Sequence, residues 1–189
     1  KIHQLENSIG FIAQTIDKIY ESYKADKKIE EFDVDKIILQ TLDLFTLQMR
    51  ACGLTVDYKK TSAIIYSDSF ALKHILLVLI ENAINVAKKR EIQEPQITIK
   101  LTRIDKNIII SVEDNCGGLE EEMLDSIFTI YEKGESSDGF GIGLALAKQL
   151  AIESCKGDIK AKNIDNGARF EVILPIDGEP KPLNKDYGS

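Results

Sequence analysis

The sequence has no tryptophan, four prolines, three cysteines and two histidines in 189 residues. Cys52, Cys116 and Cys155 are odd in number and scattered, so they form no disulfide framework and read as reduced thiols of a cytosolic compartment. His3 and His74 stand far from one another and from any cysteine pair, which leaves no zinc-site spacing. Long apolar runs are missing too: the longest, Ile75 to Ile80, is too short to cross a bilayer. No charged-then-apolar leader opens the chain, so no signal peptide is expected. Nor is there an excess of positive charge. With a net charge of −7 and a pI near 5.0, bulk attraction to nucleic acid or to anionic membranes is excluded as the basis of function. What is present, 43% hydrophobic and 29% charged residues, is ordinary globular composition.

The chain opens on a rhythm of its own. Ile2, Leu5, Ile9, Ile12, Ile16, Ile19 and Tyr23 alternate spacings of three and four, an a/d seam. The implied helix is roughly 40 Å long, too narrowly apolar to stand alone in water, and it predicts a partner helix. The pattern is already under way at Lys1, so the partner is expected upstream; an amphipathic helix docked on its own domain is the alternative. A charged link, Ala25 to Glu31, follows. Asp33 then caps a helix with Val34, Ile37, Ile38, Leu42, Phe45 and Met49 at helical spacing, ended by Gly53. Short strands are expected at Leu54–Tyr58 and Ala63–Tyr66, and a helix from Ser67-Asp68-Ser69 to about Arg90. A hairpin follows over 96–103 and 107–113, then helices at about Glu120–Phe128 and Ile142–Cys155. A second hairpin closes the series, over Asp158–Ile164 and Arg169–Leu174. This order lacks the βαβα alternation of a doubly wound sheet. It predicts an α/β two-layer sandwich: a mixed, mostly antiparallel sheet with about three helices on one face, preceded by a long heptad-patterned helix. The expected division is 1–30, 31–176 and a polar tail, 177–189.

Three clusters carry chemistry. Asn82 and Asn85 share a face of an otherwise apolar helix, where an amide among apolar neighbours needs hydrogen-bond partners and its oxygen can ligate a hard cation such as Mg²⁺. Asp114 ends an apolar strand and is followed by Asn115, Cys116, Gly117, Gly118 and Leu119, so a carboxylate acceptor sits beside backbone that a ligand can approach closely. Gly139, Gly141 and Gly143 open a helix whose N–H groups and dipole favour phosphate. This is neither a Rossmann fingerprint, since no βαβ unit surrounds it, nor a Walker loop, since no Gly-Lys-Ser/Thr occurs.

In this order and spacing the clusters resemble the ATP-binding domain of sensor histidine kinases, within the wider GHKL group of ATPases, over about Phe32 to Pro175. Glu81-Asn82-Ala83 is similar to the N box, Asp114–Leu119 to G1, Ile127-Phe128 to the F box and Gly139–Leu144 to G2. Gly167-Ala168-Arg169-Phe170 through Leu174-Pro175 is similar to the last strand. The resemblance implies ATP and Mg²⁺ as cofactors. Asn82 would hold the metal, Asp114 would accept the adenine amino group and Gly118 would let the ring approach. Gly139, Gly141, Gly143 and Leu144 would form the phosphate side, and Lys133, in the lid Thr129–Asp138, would bring positive charge to the γ-phosphate. Asn85 stands where the family often has a basic residue, for which Lys88 is the substitute candidate, and Phe128 belongs to the nucleotide-binding set. Catalysis would rest on Asn82 and Lys133.

The implied reaction is transfer of the γ-phosphoryl of Mg-ATP to a histidine on a preceding helix, and from there to an aspartate of a response regulator. The segment 1–30 resembles the second helix of the dimerisation and phosphotransfer region, which implies a homodimer. His3, followed by Gln4 and Leu5, lacks the family's acceptor motif and reads as a helix-surface residue. No nucleic-acid or membrane contact is expected of this fragment, and its place is cytoplasmic, with any anchor upstream. Three positions depart from the pattern. Four residues before Asn82, Val78 lies where family kinases usually carry Asn, His or an acid and the group's ATPases keep a glutamate to activate water, Cys116 replaces a glycine of G1, and Ala168 replaces a threonine. Two other functions remain open at this point: an ATPase of the gyrase or chaperone type, and a nucleotide-binding signalling module without kinase activity.

Overall fold

The computed structural model describes residues 28–124, 126–129 and 140–178. The heptad segment, Lys133, Gly139 and the tail beyond Gly178 lie outside the described residues.

The chain enters through β1 (Ile29–Asp33) and turns into α1 (Val34–Leu44), where the Asp33 side chain accepts from the Asp35 N–H at 3.0 Å. The expected single helix to Gly53 is instead two. At Phe45 the backbone leaves helical geometry (φ −99°, ψ 4°) before α2 (Thr46–Ala51) begins. Two threonines account for the break: Thr41 Oγ1 donates back to the Ile37 carbonyl (2.8 Å), which bends helices, and Thr46 Oγ1 donates to Asp43 (3.0 Å).

Strands β2 (Thr55–Tyr58) and β3 (Ile64–Asp68) come next but do not pair with each other. β3 pairs antiparallel with β1, so part of the expected charged link is a strand. After β3, Asp68 accepts from Phe70 and Ala71 N–H (3.1 and 3.0 Å) and starts α3 (Ser69–Lys89). The hairpin β4 (Gln96–Ile104) and β5 (Asn107–Asp114) turns through Asp105, whose φ of 52° is left-handed. The expected helix from Glu120 is only one turn long, α4 (Glu121–Leu124). Then come α5 (Phe140–Glu153) and the hairpin β6 (Asp158–Ile164) and β7 (Gly167–Pro175).

The main sheet has the order β2-β4-β5-β7-β6, antiparallel except for β2 beside β4. One face is apolar: Ile97, Ile99, Ile110, Val112, Phe170 and Val172 are buried against the helices. Among the helices, α3 packs between α1 and α5. It is long and apolar enough to cross a membrane by length and composition, but Leu72, Ile75, Leu76, Leu79 and Ile80 are sealed in the core, as a central helix of a sandwich requires. The other sheet face carries a cross-strand charge ladder. Lys100 meets Glu113 at 3.2 Å, Glu113 meets Arg169 at 2.9 Å, and Glu171 meets Lys162 at 2.9 Å. The expected two-layer α/β sandwich is therefore the observed architecture.

One buried carboxylate holds the return from β2 to β3. Asp35 accepts from the Tyr58 hydroxyl and from the N–H groups of Thr61 (3.0 Å) and Ala63 (3.3 Å). Burial pushes its pKa up, but the bonds from Tyr58, Thr61 and Ala63 outweigh burial and hold it below the usual carboxylate value. A depressed folded-state pKa contributes stability that is present above the unfolded pKa and is lost as pH falls through the folded one. Replacing Asp35 by alanine orphans those donors. Urea unfolding at neutral pH is expected to show a loss of about 2–3 kcal/mol, shrinking toward zero in acid.

Candidate functional site

The site forms where β5 ends. Asp114 sits at the strand terminus, and its Oδ1 accepts from the N–H groups of Cys116 (2.8 Å) and Ala168 (3.4 Å). Among the described residues both backbone donors go to Oδ1, and the Cys116 side chain also hydrogen-bonds the carboxylate. Burial raises the Asp114 pKa, opposed by those two N–H groups and by the charge of Arg90. The same burial, with the Asp114 charge beside it, pushes the Cys116 thiol up to about 11, so it stays protonated and unreactive.

This geometry depends on the start of β7. A Cβ placed on Gly167 would lie 1.7 Å from the Asp114 carbonyl oxygen. Only glycine lets β7 approach closely enough for the Ala168 N–H to reach the carboxylate.

Gly117 and Gly118 follow, both left-handed with φ of 87° and 70°. The loop they shape is gripped from several sides. Arg90 Nη1 donates to the carbonyls of Cys116 and Gly118, the latter at 2.9 Å, and Gly117 N–H donates to the Asn166 carbonyl at 2.7 Å. Asn163 accepts from Leu119 N–H (2.7 Å) and donates to the Leu119 carbonyl (2.8 Å). The Asn115 side chain accepts from Gln96 N–H (2.8 Å) and donates to the Glu94 carbonyl (3.1 Å). The sequence reading missed these clamps. Arg90 reads there as an ordinary cation at a helix end, and nothing in the spacing of Asn163 or Asn115 signals a role.

Facing Asp114 across a small cavity is Asn82 of α3. Its amide nitrogen is buried and has no hydrogen-bond partner among the described residues, an arrangement that asks for a ligand. Rotating the amide would present Oδ1 instead. Gly118 and Ala168 complete the polar rim, and Val86, Leu119, Ile127, Leu144 and Phe170 form apolar walls. The cavity is small, about 30 Å³, and not closed off from solvent.

The structure thus brings Asn82, Asp114, Gly118 and Leu144 to one cavity. Phe128 stands behind its wall, edge-on to Phe170 (centroids 6.4 Å apart), with Lys148 Nζ 5.2 Å above its ring. Asn85 and Lys88 are exposed on α3 and do not line the cavity. Gly141 and Gly143 lie in the first turns of α5. A Cβ on Gly143 would touch Val78 at 3.4 Å, which places the start of α5 against α3. A larger space of about 280 Å³ opens at the other end of the sheet, between Thr61–Ile64, Leu101–Arg103 and Ile108. It has no carboxylate or side-chain amide on its walls and lacks the donor-acceptor set found around Asp114.

Two substitutions test the geometry. Gly167→Ala is expected to cost more than about 3 kcal/mol in chemical denaturation, because the clash is with backbone. Asp114→Asn keeps an oxygen for the two N–H groups while removing a buried charge. Its melting temperature at neutral pH is expected to equal or exceed the wild-type value, since a raised folded pKa means that ionisation opposes folding at high pH.

Residues 67–178, more than half of the chain, match the model of the histidine kinase-, DNA gyrase B- and HSP90-like ATPases. The sensor protein RprX of Bacteroides fragilis is 25% identical over 166 residues, covering 84% of this chain and 31% of that protein. The sensor histidine kinase ZraS of Klebsiella oxytoca is 31% identical over 158 residues, covering 82% of this chain and 33% of its own length. The chain spans about a third of the length of these relatives. Among solved structures, the catalytic domain of the histidine kinase ThkA superposes with a TM-score of 0.71 at 21% identity, over 82% of this chain and 99% of that one. ThkA in complex with the response regulator TrrA superposes with a TM-score of 0.71 at 20% identity, over 93% of this chain and 50% of that one. With its sheet order, its glycine-bordered carboxylate and its core helix bearing Asn82, the chain belongs to the histidine kinase-, DNA gyrase B- and HSP90-like ATPase family.

Proposed function

We propose that this chain is the ATP-binding catalytic part of a sensor histidine kinase, residues 31–176 forming the catalytic domain and 1–30 the end of a dimerising phosphotransfer helix. The observation that carries the reading is the pairing across one cavity of the Asp114 carboxylate, fixed through Oδ1 by two backbone N–H groups, with an unpartnered buried amide, that of Asn82. Asp114 accepts the exocyclic amino group of adenine. Gly118, lacking a side chain, leaves room for the ring. Asn82, turned to present its oxygen, holds Mg²⁺, a hard cation suited to an amide oxygen. When bound, the metal supplies charge neutralisation on the phosphates. The start of α5, with Gly141 among its first residues and Gly139 before it, would supply backbone N–H groups and a helix dipole to the phosphates, with Gly143 and Leu144 packing the turn behind. Lys133 would add the positive charge at the γ-phosphate; Asn85 and Lys88, exposed on α3, lie outside the cavity.

Such a site works by positioning and electrostatics, which is most of what phosphoryl transfer needs. Val78 argues against hydrolysis, because an aliphatic side chain cannot activate water. The phosphoryl acceptor is a histidine on a helix preceding the heptad segment, the final acceptor is a response-regulator aspartate, and the working form is a homodimer.

Extending the chain upstream to include that helix and supplying γ-labelled ATP with Mg²⁺ is expected to give an acid-labile, alkali-stable phosphohistidine. Steady release of inorganic phosphate without labelled protein would instead favour the ATPase reading. Within the 189-residue chain, Asp114→Asn is expected to weaken ATP about a hundredfold in calorimetry, since an amide donor then faces the adenine amino group. Asn82→Ala is expected to abolish the effect of Mg²⁺ on ATP affinity while leaving adenosine binding within about twofold.

A further inference from the structure

We propose that Arg90 is a positioning residue for the purine end of the site: by gripping the carbonyls of Cys116 and Gly118 it fixes the loop between Asp114 and Leu119, and so sets adenine-nucleotide affinity and base selectivity. This rests on the nucleotide reading above and deepens it. Arg90 caps the C-terminus of α3. Among the described residues no carboxylate pairs with its guanidinium. One nitrogen, Nη1, serves both the Cys116 and the Gly118 carbonyl, and it lies 2.9 Å from where a Cβ on Gly117 would stand. The two consecutive left-handed glycines turn these carbonyls toward a common donor.

The other grips on the loop come from different elements. Asn166 and Asn163 belong to the β6–β7 hairpin, and Asn115 ties the loop to the start of β4. Among the hydrogen bonds that hold residues 115–119, those from Arg90 alone reach α3, the helix that also carries Asn82 eight positions earlier. At 1.5 Å per residue the two side chains leave the helix about 12 Å apart along its axis. One rigid rod thus sets the distance between the phosphate end and the base end of the site. The positive charge of Arg90 also opposes the protonation of Asp114 that burial favours.

The test is calorimetry of ATP, ADP and GTP binding by the 189-residue wild-type chain and by Arg90→Ala and Arg90→Lys, with melting temperatures recorded in parallel. Arg90 is exposed and outside the hydrophobic core, so both variants are expected to fold. In Arg90→Ala, ATP and ADP are expected to weaken by the same factor, about tenfold, and the preference for ATP over GTP to shrink. Arg90→Lys is expected to recover part of both, since an ammonium can donate to two carbonyls without matching the planar fork. Wild-type affinity and selectivity in Arg90→Ala would overturn the proposal. So would a loss confined to ATP and absent for ADP, which would place Arg90 at the phosphate end. A loss matched by an equally large fall in melting temperature, with no recovery in Arg90→Lys, would reduce the residue to a structural cap. A wild-type chain that binds no adenine nucleotide would remove the parent reading itself, a result distinct from all of these.

Discussion

Among the described residues, the closest approach that admits only one residue type is between Gly167 and the carbonyl of Asp114. Because no side chain intervenes, β7 begins flush against the end of β5, and the Ala168 N–H reaches the Asp114 carboxylate. Oδ1 is held by two backbone donors, which fixes the orientation of the carboxylate. An aspartate on a freely moving loop would lose its orientation to entropy. Here the strand end and the neighbouring hairpin set it before any ligand arrives, which lowers the ordering cost of binding.

The supports around it follow the same logic. The loop from Asn115 to Leu119 has two left-handed glycines and would wander if left to itself. Its carbonyls and N–H groups are instead taken up by Arg90, Asn163, Asn166 and Asn115, each anchored on a strand, a strand turn or a helix end. Behind them the sheet is two-sided. Its inner face is sealed by α3 and its neighbours, and its outer face is crossed by the ladder from Lys100 to Lys162. The ladder contributes little energy per exposed pair, but complementary cross-strand charges suit only the native register, and register fixes where Asp114 falls relative to Ala168.

Much of this was legible in the sequence where the signal is local. Asp33 and Asp68 cap helices as their side chains predict, both hairpins turn where expected, and α3 and α5 lie within a few residues of their expected bounds. What was not legible depends on partners distant in the chain. β1 reads as a charged link because Glu30 and Glu31 sit between Ile29 and Phe32 in a short, mostly charged run, and it becomes a strand through its pairing with β3. β2 and β3 look like adjacent strands, yet β2 runs parallel to β4, a pairing no short-range pattern encodes. The break at Phe45 hides within an unbroken apolar period and is set by threonine hydroxyls reaching carbonyls. In the site, Asn82, Asp114, Gly118 and Leu144 were legible because residue type and order carry the chemistry. Arg90 was not, because an arginine at a helix terminus has the same sequence signature whether it faces water or grips a loop.

The contact between Val78 and Gly143 bears on the kind of chemistry such a site can support. Hydrolysis needs a base held within hydrogen-bond reach of a water beside the phosphate. Transfer to a side chain needs the opposite, a γ-phosphate shielded from water until the acceptor arrives. At the turn of α3 preceding Asn82 this chain places a half-buried aliphatic group, with Gly143 of α5 close by. A valine offers no base to hold or activate a water, so this position argues against hydrolysis without itself supplying a group for transfer.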